Sequence, residues 1–167
     1  MAGSTAHARA RRGPGEGQAT VRRVARGVAV VFLVVGVLGF VPGITSDVGG
    51  LRWAGHESGA RLFGVFQVSV LHNLVHLLFG VAGLALARTA ATARAYLLGG
   101  GAVYLVLWLY GLVVDHDSTA NVLPVNTADN WLHLGLGAAM ILLGLVTTRT
   151  GTRHQPRHGL DRSRGRG

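Results

Sequence analysis

At 167 residues the chain has room for one compact domain. A hydrophobic content of 49% against only 14% charged residues is not a soluble composition, and the lack of cysteine excludes disulfides, thiolate metal sites and cysteine nucleophiles. The net charge of +9 does not point to nucleic acid, because nearly all of it sits in two terminal arginine-rich segments flanking apolar runs, a placement explained by positive-inside bias.

Residues 1–26 are rich in Arg, Ala, Gly and Pro with no apolar period up to about Gln18, and read as a disordered cytoplasmic tail. Arg22, Arg23 and Arg26 then precede an uncharged run over 27–46. That run exceeds a signal-peptide core and no small-x-small cleavage site follows, so it predicts a retained first span over about 27–42, ended by Pro42-Gly43. Residues 44–61 read as an external loop with Trp53 as an interface anchor.

Residues 62–87 are uncharged for 26 positions, more than the roughly 20 a crossing requires. The crossing is placed at 69–87, with Leu62–Phe66 lying along the interface. Arg88 and Arg94 bracket a short turn before a third span at 95–114, in which Tyr104 and Trp108 stand one turn apart on one face. An acidic loop broken by Pro124 leads to a fourth span at 131–148, and 149–167 is a second disordered arginine tail. Placing both termini inside puts fourteen of the sixteen arginines (six, two and six) on the cytoplasmic side. The expectation is an all-α integral membrane four-helix bundle in the bacterial cytoplasmic membrane. Its arginine tails would meet anionic lipid headgroups at about 1 kcal/mol per basic residue near the surface.

The chain repeats itself. Leu71-His72-Asn73-Leu74-Val75-His76 runs into an apolar segment, and so does Ala128-Asp129-Asn130-Trp131-Leu132-His133. Aligned without gaps, Asn73 falls on Asn130, His76 on His133, Gly80 on Gly137 and His72 on Asp129. A weaker match sets Val31-Phe32-Leu33-Val34 on Val103-Tyr104-Leu105-Val106 and Gly39 on Gly111. A helix pair repeated twice, each copy starting and ending inside, is a parallel duplication about an axis along the membrane normal.

The repeat gathers candidates for chemistry. His72, His76, His133 and Asp129 are a donor set for zinc or another divalent metal. Two histidines on neighbouring helices also match the axial ligands of a haem. A proton or small-solute conduit would need polar residues below Gly80 and Gly137, where the spans have almost none. The plainer reading needs no cofactor. In it His72, Asn73, His76, Asn126, Asp129, Asn130 and His133 form a polar cluster at the outer end of the bundle, tying helices together at about 0.6–2 kcal/mol per contact. Gly80, Gly83, Gly99, Gly135 and Gly137 are expected to bring helices close, with Gly80 and Gly137 letting spans two and four approach. No nucleophile elbow, paired catalytic carboxylates or zinc-protease motif is present. The sequence favours a non-enzymatic structural or accessory membrane protein.

Gly39-Phe40-Val41-Pro42-Gly43, Phe63-Gly64-Val65-Phe66-Gln67-Val68 and the two Asn-x-x-His segments together resemble the domain-of-unknown-function 4383 family over about 27–145. The resemblance implies a small four-span membrane protein of a high-GC bacterium and carries no activity with it. Val70 departs from the family pattern, where proline is more usual, and this blurs the predicted start of the second helix.

Overall fold

Helices need side-chain oxygens at their first turn to take the amides that have no partner within the helix. Ser69, Thr89 and Asn126 supply them. In the computed structural model, which describes residues 14–147, Ser69 accepts the amide of His72, Thr89 that of Thr92 and Asn126 that of Asp129, at 3.1, 3.2 and 3.0 Å. These caps start α2 (Val70–Leu86), α3 (Ala90–Val113) and α4 (Thr127–Val146), and α1 (Pro14–Leu38) completes an all-α fold of four helices among the described residues. Both α3 and α4 are long and apolar enough to cross a membrane, and α2 is a shorter apolar helix of 17 residues.

Several boundaries differ from the sequence reading: α1 ends at Leu38 and not at 42, and α4 begins at Thr127, four residues before the expected 131. The part of the expected tail over 14–26 is helical, so α1 begins well before Gly27. Its stripe Val21, Ala25, Ala29 and Phe32 is buried, while Arg23 and Arg26 face outward. A helix presents residues three and four apart on one face, so arginines can interrupt an apolar run without interrupting the stripe. Arg22 stays on the helix by donating through Nε to the Ala87 carbonyl at 3.4 Å. Likewise α3 begins five residues before the expected Ala95. The turn before it is only 87–89, and Arg94 is already helical. The rest of the two expected tails, 1–13 and 148–167, lies outside the described residues.

The connection from α1 to α2 is more than a loop. It folds into a three-stranded antiparallel patch, β1 (Thr45–Ser46), β2 (Arg61–Leu62) and β3 (Phe66–Gln67), in the order β1-β2-β3. The three-residue β2–β3 turn, 63–65, has Phe63 and Gly64 at φ 53° and 72°, and the Val65 amide donates to the Leu62 carbonyl at 3.1 Å. Ala60, Leu62 and Val68 form a small core beneath the patch, against Val35 and Leu38 of α1. Strands of two residues carry no alternation long enough to read in a sequence.

The helices pack as two pairs, α1 along α2 and α3 along α4, joined chiefly through α1 and α3. Matching contacts close each pair. A Cβ on Gly80 would meet Leu33 Cγ at 2.6 Å and the Ala29 carbonyl at 2.8 Å; one on Gly137 would meet Leu105 Cδ2 at 2.8 Å and the Gly101 carbonyl at 3.0 Å. Gly39 and Gly111 have no room for a Cβ either, being filled by the Asn73 and Asn130 side chains. Gly80 and Gly137 therefore serve approach within each pair, and not the expected approach of α2 to α4. Gly99 and Gly135 face open space, so they bring no helices together. At the centre Phe32 of α1 stacks on Tyr104 of α3, with ring centroids 5.3 Å apart and planes 25° apart.

Candidate functional site

The polar residues singled out by the repeat divide into two groups. Asn73 is fully buried and turned into its own helix pair, against Gly39; Asn130 is turned likewise against Gly111. The asparagines therefore do not meet one another. The histidines do converge. The rings of His72 and His76 are 4.7 Å apart, those of His72 and His133 6.4 Å apart, and the three residues are only 6%, 9% and 4% exposed. Phe32 stacks on His76 at 5.8 Å and 22°, and Tyr104 meets His133 edge-on at 5.4 Å and 62°. A Phe–His contact in one half is thus answered by a Tyr–His contact in the other.

Asp129 and Asn126 do different work from the imidazoles. Asn126 is the N-cap of α4 and Asp129 the third residue of its first turn, and together they form a capping box. Asp129 Oδ2 accepts the amides of Asn126 and Gln67 at 3.0 and 2.9 Å, and Asn126 Nδ2 donates to the Val65 carbonyl at 2.7 Å. The hairpin is in this way fastened to the start of α4. The Asn-x-x-Asp spacing over 126–129 carries the capping-box signal in the sequence. His72 holds the corresponding place in the first turn of α2, after Ser69, so the equivalence of His72 and Asp129 is one of helix position and not of chemistry. Among the described residues no group of three or more His, Asp and Glu side chains is disposed to hold a metal ion.

Two bracing residues escaped the sequence reading. Gln67 donates through Nε2 to the His56 and Ser58 carbonyls, both at 2.9 Å, which fixes the strand that lies over the histidines. Asn121 is fully buried and donates to the His116 and Val125 carbonyls at 3.0 and 3.2 Å while accepting the Val125 amide, shaping the approach to α4. Nothing distinguishes either from an ordinary polar loop residue until the loop is folded.

The imidazoles form one wall of a cavity of about 240 Å³. Val31 and Val35 of α1 and Leu132 and Leu136 of α4 form its sides, and Phe63 and Phe66 of the hairpin roof it. On the far side of the same rings lies a pocket of about 20 Å³ beside Tyr104 and Leu123, roomy enough for one water. Nδ1 of His72, His76 and His133 is buried without a hydrogen-bond partner among the described residues, and so are both side-chain polar atoms of Asn73. Buried polar atoms are nearly always paired, so an unpaired trio beside a cavity marks a place where chemistry is available.

No curated protein and no solved structure matches the chain. A family model described as a domain of unknown function, DUF4383, matches residues 22–146 and so spans all four helices apart from the first turns of α1; the chain belongs to that family.

Proposed function

We propose that the protein is a four-span integral membrane protein of the bacterial cytoplasmic membrane, with both termini cytoplasmic, built from two duplicated helix pairs and acting in a structural or accessory role, not as an enzyme. The observation that carries this reading is the division of the polar cluster. Asn73 and Asn130 are each packed within one helix pair, and the histidines are gathered between the pairs. A duplication about an axis along the membrane normal accounts for both, since equivalent residues either repeat a contact within each copy or meet across the axis. The Gly80–Leu33 and Gly137–Leu105 contacts support it, as does the Phe32–Tyr104 stack between the weakly matched first helices.

The membrane reading draws on α3 and α4, which are long and apolar enough to cross. At 17 residues α2 stands at the lower limit for a crossing, about 17–25 residues. The outward side chains of α1 include Val30, Val31, Val34 and Val37, all about half exposed, an arrangement suited to lipid. The cluster then lies at the outer end, where α2 and α4 begin. Alkaline phosphatase fused after Asp117 should be active and fused after Arg149 inactive. The reverse pattern, or two active fusions, would remove the topology.

A further inference from the structure

We propose that the cavity between α1 and α4 binds the head ring of an uncharged, membrane-soluble quinone, whose apolar tail leaves between the two helices into lipid. This rests on the membrane reading above and adds a ligand class to it.

Size comes first. About 240 Å³ lies below the roughly 300–1,000 Å³ typical of drug-sized sites, so the cavity suits a ring and not a whole lipid. Helices α1 and α4 scarcely touch, and the most exposed side chains at the cavity, Phe63, Val31 and Leu132, are apolar and 59%, 55% and 39% exposed, so it opens where the hairpin meets the two helices. Behind Phe32, which lines the cavity, the rings of Phe79 and Tyr104 are packed against it at 4.8 and 5.3 Å. A chamber backed by packed rings is a binding site and not a conduit.

Polarity narrows the class. Three imidazoles line the cavity, each residue more than nine-tenths buried; His72 lies within reach of the Pro124 and Gln67 carbonyls, while the rings of His76 and His133 make no hydrogen bond among the described residues. Uncharged imidazole offers one N–H and one lone pair, so a ring carbonyl is a fitting partner for the N–H. Carbonyls on opposite edges of one flat ring can meet more than one imidazole at once. Among the described residues no arginine lines the cavity, and Oδ2 of the one carboxylate there, Asp129, is already taken by two backbone amides. A phosphate or carboxylate head would find no permanent cation there and a carboxylate nearby. The rings of Phe32 and His76, stacked at 22°, give a flat ligand a face to lie on.

The test uses the full chain, first washed in membranes with alkaline carbonate and then reconstituted in phosphatidylcholine nanodiscs. Decylubiquinone should quench tryptophan fluorescence saturably and raise the melting temperature, whereas decanol, decanoic acid and zinc chloride at equal concentration should not raise it. His133→Leu and Val31→Trp should each weaken decylubiquinone binding at least tenfold. Val31 is exposed on α1, so Val31→Trp obstructs the mouth without entering the packed core and decides the matter if His133→Leu does not fold. Absence of saturable binding by carbonate-resistant parent protein overturns the quinone assignment and leaves the membrane reading intact. So does parental affinity in the Val31→Trp variant, or an equal melting shift with decanol, decanoic acid or zinc. Release of the protein by carbonate overturns both.

Discussion

The two helix pairs carry the same closing contacts and different ends. In both, a glycine of the second helix seats against a leucine and a backbone carbonyl of the first, and an asparagine fills the space beside a glycine near the far end. What differs is the first turn of the second helix and the connection leading into it. In the α3–α4 pair that turn holds Asp129, whose carboxylate is spent on a capping box and on the Gln67 amide. In the α1–α2 pair it holds His72, and the preceding connection carries the β patch. The shared contacts hold the pairs together. The position that differs gives one pair a fastening and the other an imidazole at the cavity.

Breaking a shared contact should have the largest effect. A Cβ at Gly80 or Gly137 meets a backbone carbonyl at 2.8 or 3.0 Å, and backbone inside a packed helix pair cannot swing aside. Gly80→Val and Gly137→Val should each cost about 3 kcal/mol or more, the upper part of the range for overpacking. Thermal melting of the detergent-purified variants checks this. Gly99→Ala and Gly135→Ala, where the added methyl meets nothing within 4 Å, should leave melting unchanged or raise it, by up to about 1 kcal/mol of helix propensity. Equal losses in all four variants would mean that the glycines matter for a reason other than close approach.

The turn that differs comes next. Asp129→Ala strands two backbone amides that Oδ2 now accepts, and should cost about 2–3 kcal/mol. Ser69→Ala, at the cap of α2, removes one neutral acceptor and should cost about 1 kcal/mol. Because Asp129 also holds the hairpin, limited proteolysis within 61–67 should accelerate in the first variant and not in the second. If Ser69→Ala proves the more damaging, the two ends are not fastened as described.

How much of this was legible follows from what each feature needs. Helix periodicity and a cap are local, so the four helices and the start of α2 at Ser69 could be read from residues near them in sequence. The start of α1 could not, because Arg22, Arg23 and Arg26 break the apolar run while leaving the Val21–Ala25–Ala29 stripe whole. The repeat declared Asn73 and Asn130 equivalent. It held no information on direction, and each asparagine turns toward its own helix pair instead of toward its counterpart. The same blindness put Asp129 among the metal donors, since the Gln67 amide that takes its Oδ2 comes from a strand too short to foresee.

Removing an imidazole should cost less than removing the carboxylate. His76→Asn and His133→Asn each lose ring packing, on Phe32 and Tyr104 respectively, but no hydrogen bond at Nδ1. A loss of about 0.5–1.5 kcal/mol, the usual worth of such a ring contact, is expected for each. Zinc should shift the melting of neither variant nor of the parent. A zinc-dependent rise that both substitutions erase would turn the cluster into a metal centre, since binding to the native state alone stabilises it by mass action.

The smallest expected effect has the opposite sign. Phe63 sits at φ 53° in the hairpin turn and is 59% exposed at the cavity roof, a conformation and an exposure that both disfavour phenylalanine. The left-handed region costs a residue with a Cβ about 1–2 kcal/mol, and glycine adopts it freely. Glycine also gives the unfolded chain more freedom, which takes back about 0.5–1 kcal/mol. Phe63→Gly should therefore be neutral or stabilising by up to about 1 kcal/mol, despite deleting a large apolar side chain. Hairpins in general place glycine or asparagine at such a site, and strained residues that persist cluster at ligand clamps. If the ring is kept as part of the cavity roof, Phe63→Gly should melt no lower than the parent while holding decylubiquinone less tightly. A clear loss of stability would instead assign the ring to packing of the hairpin, and the strain would then have a structural cause.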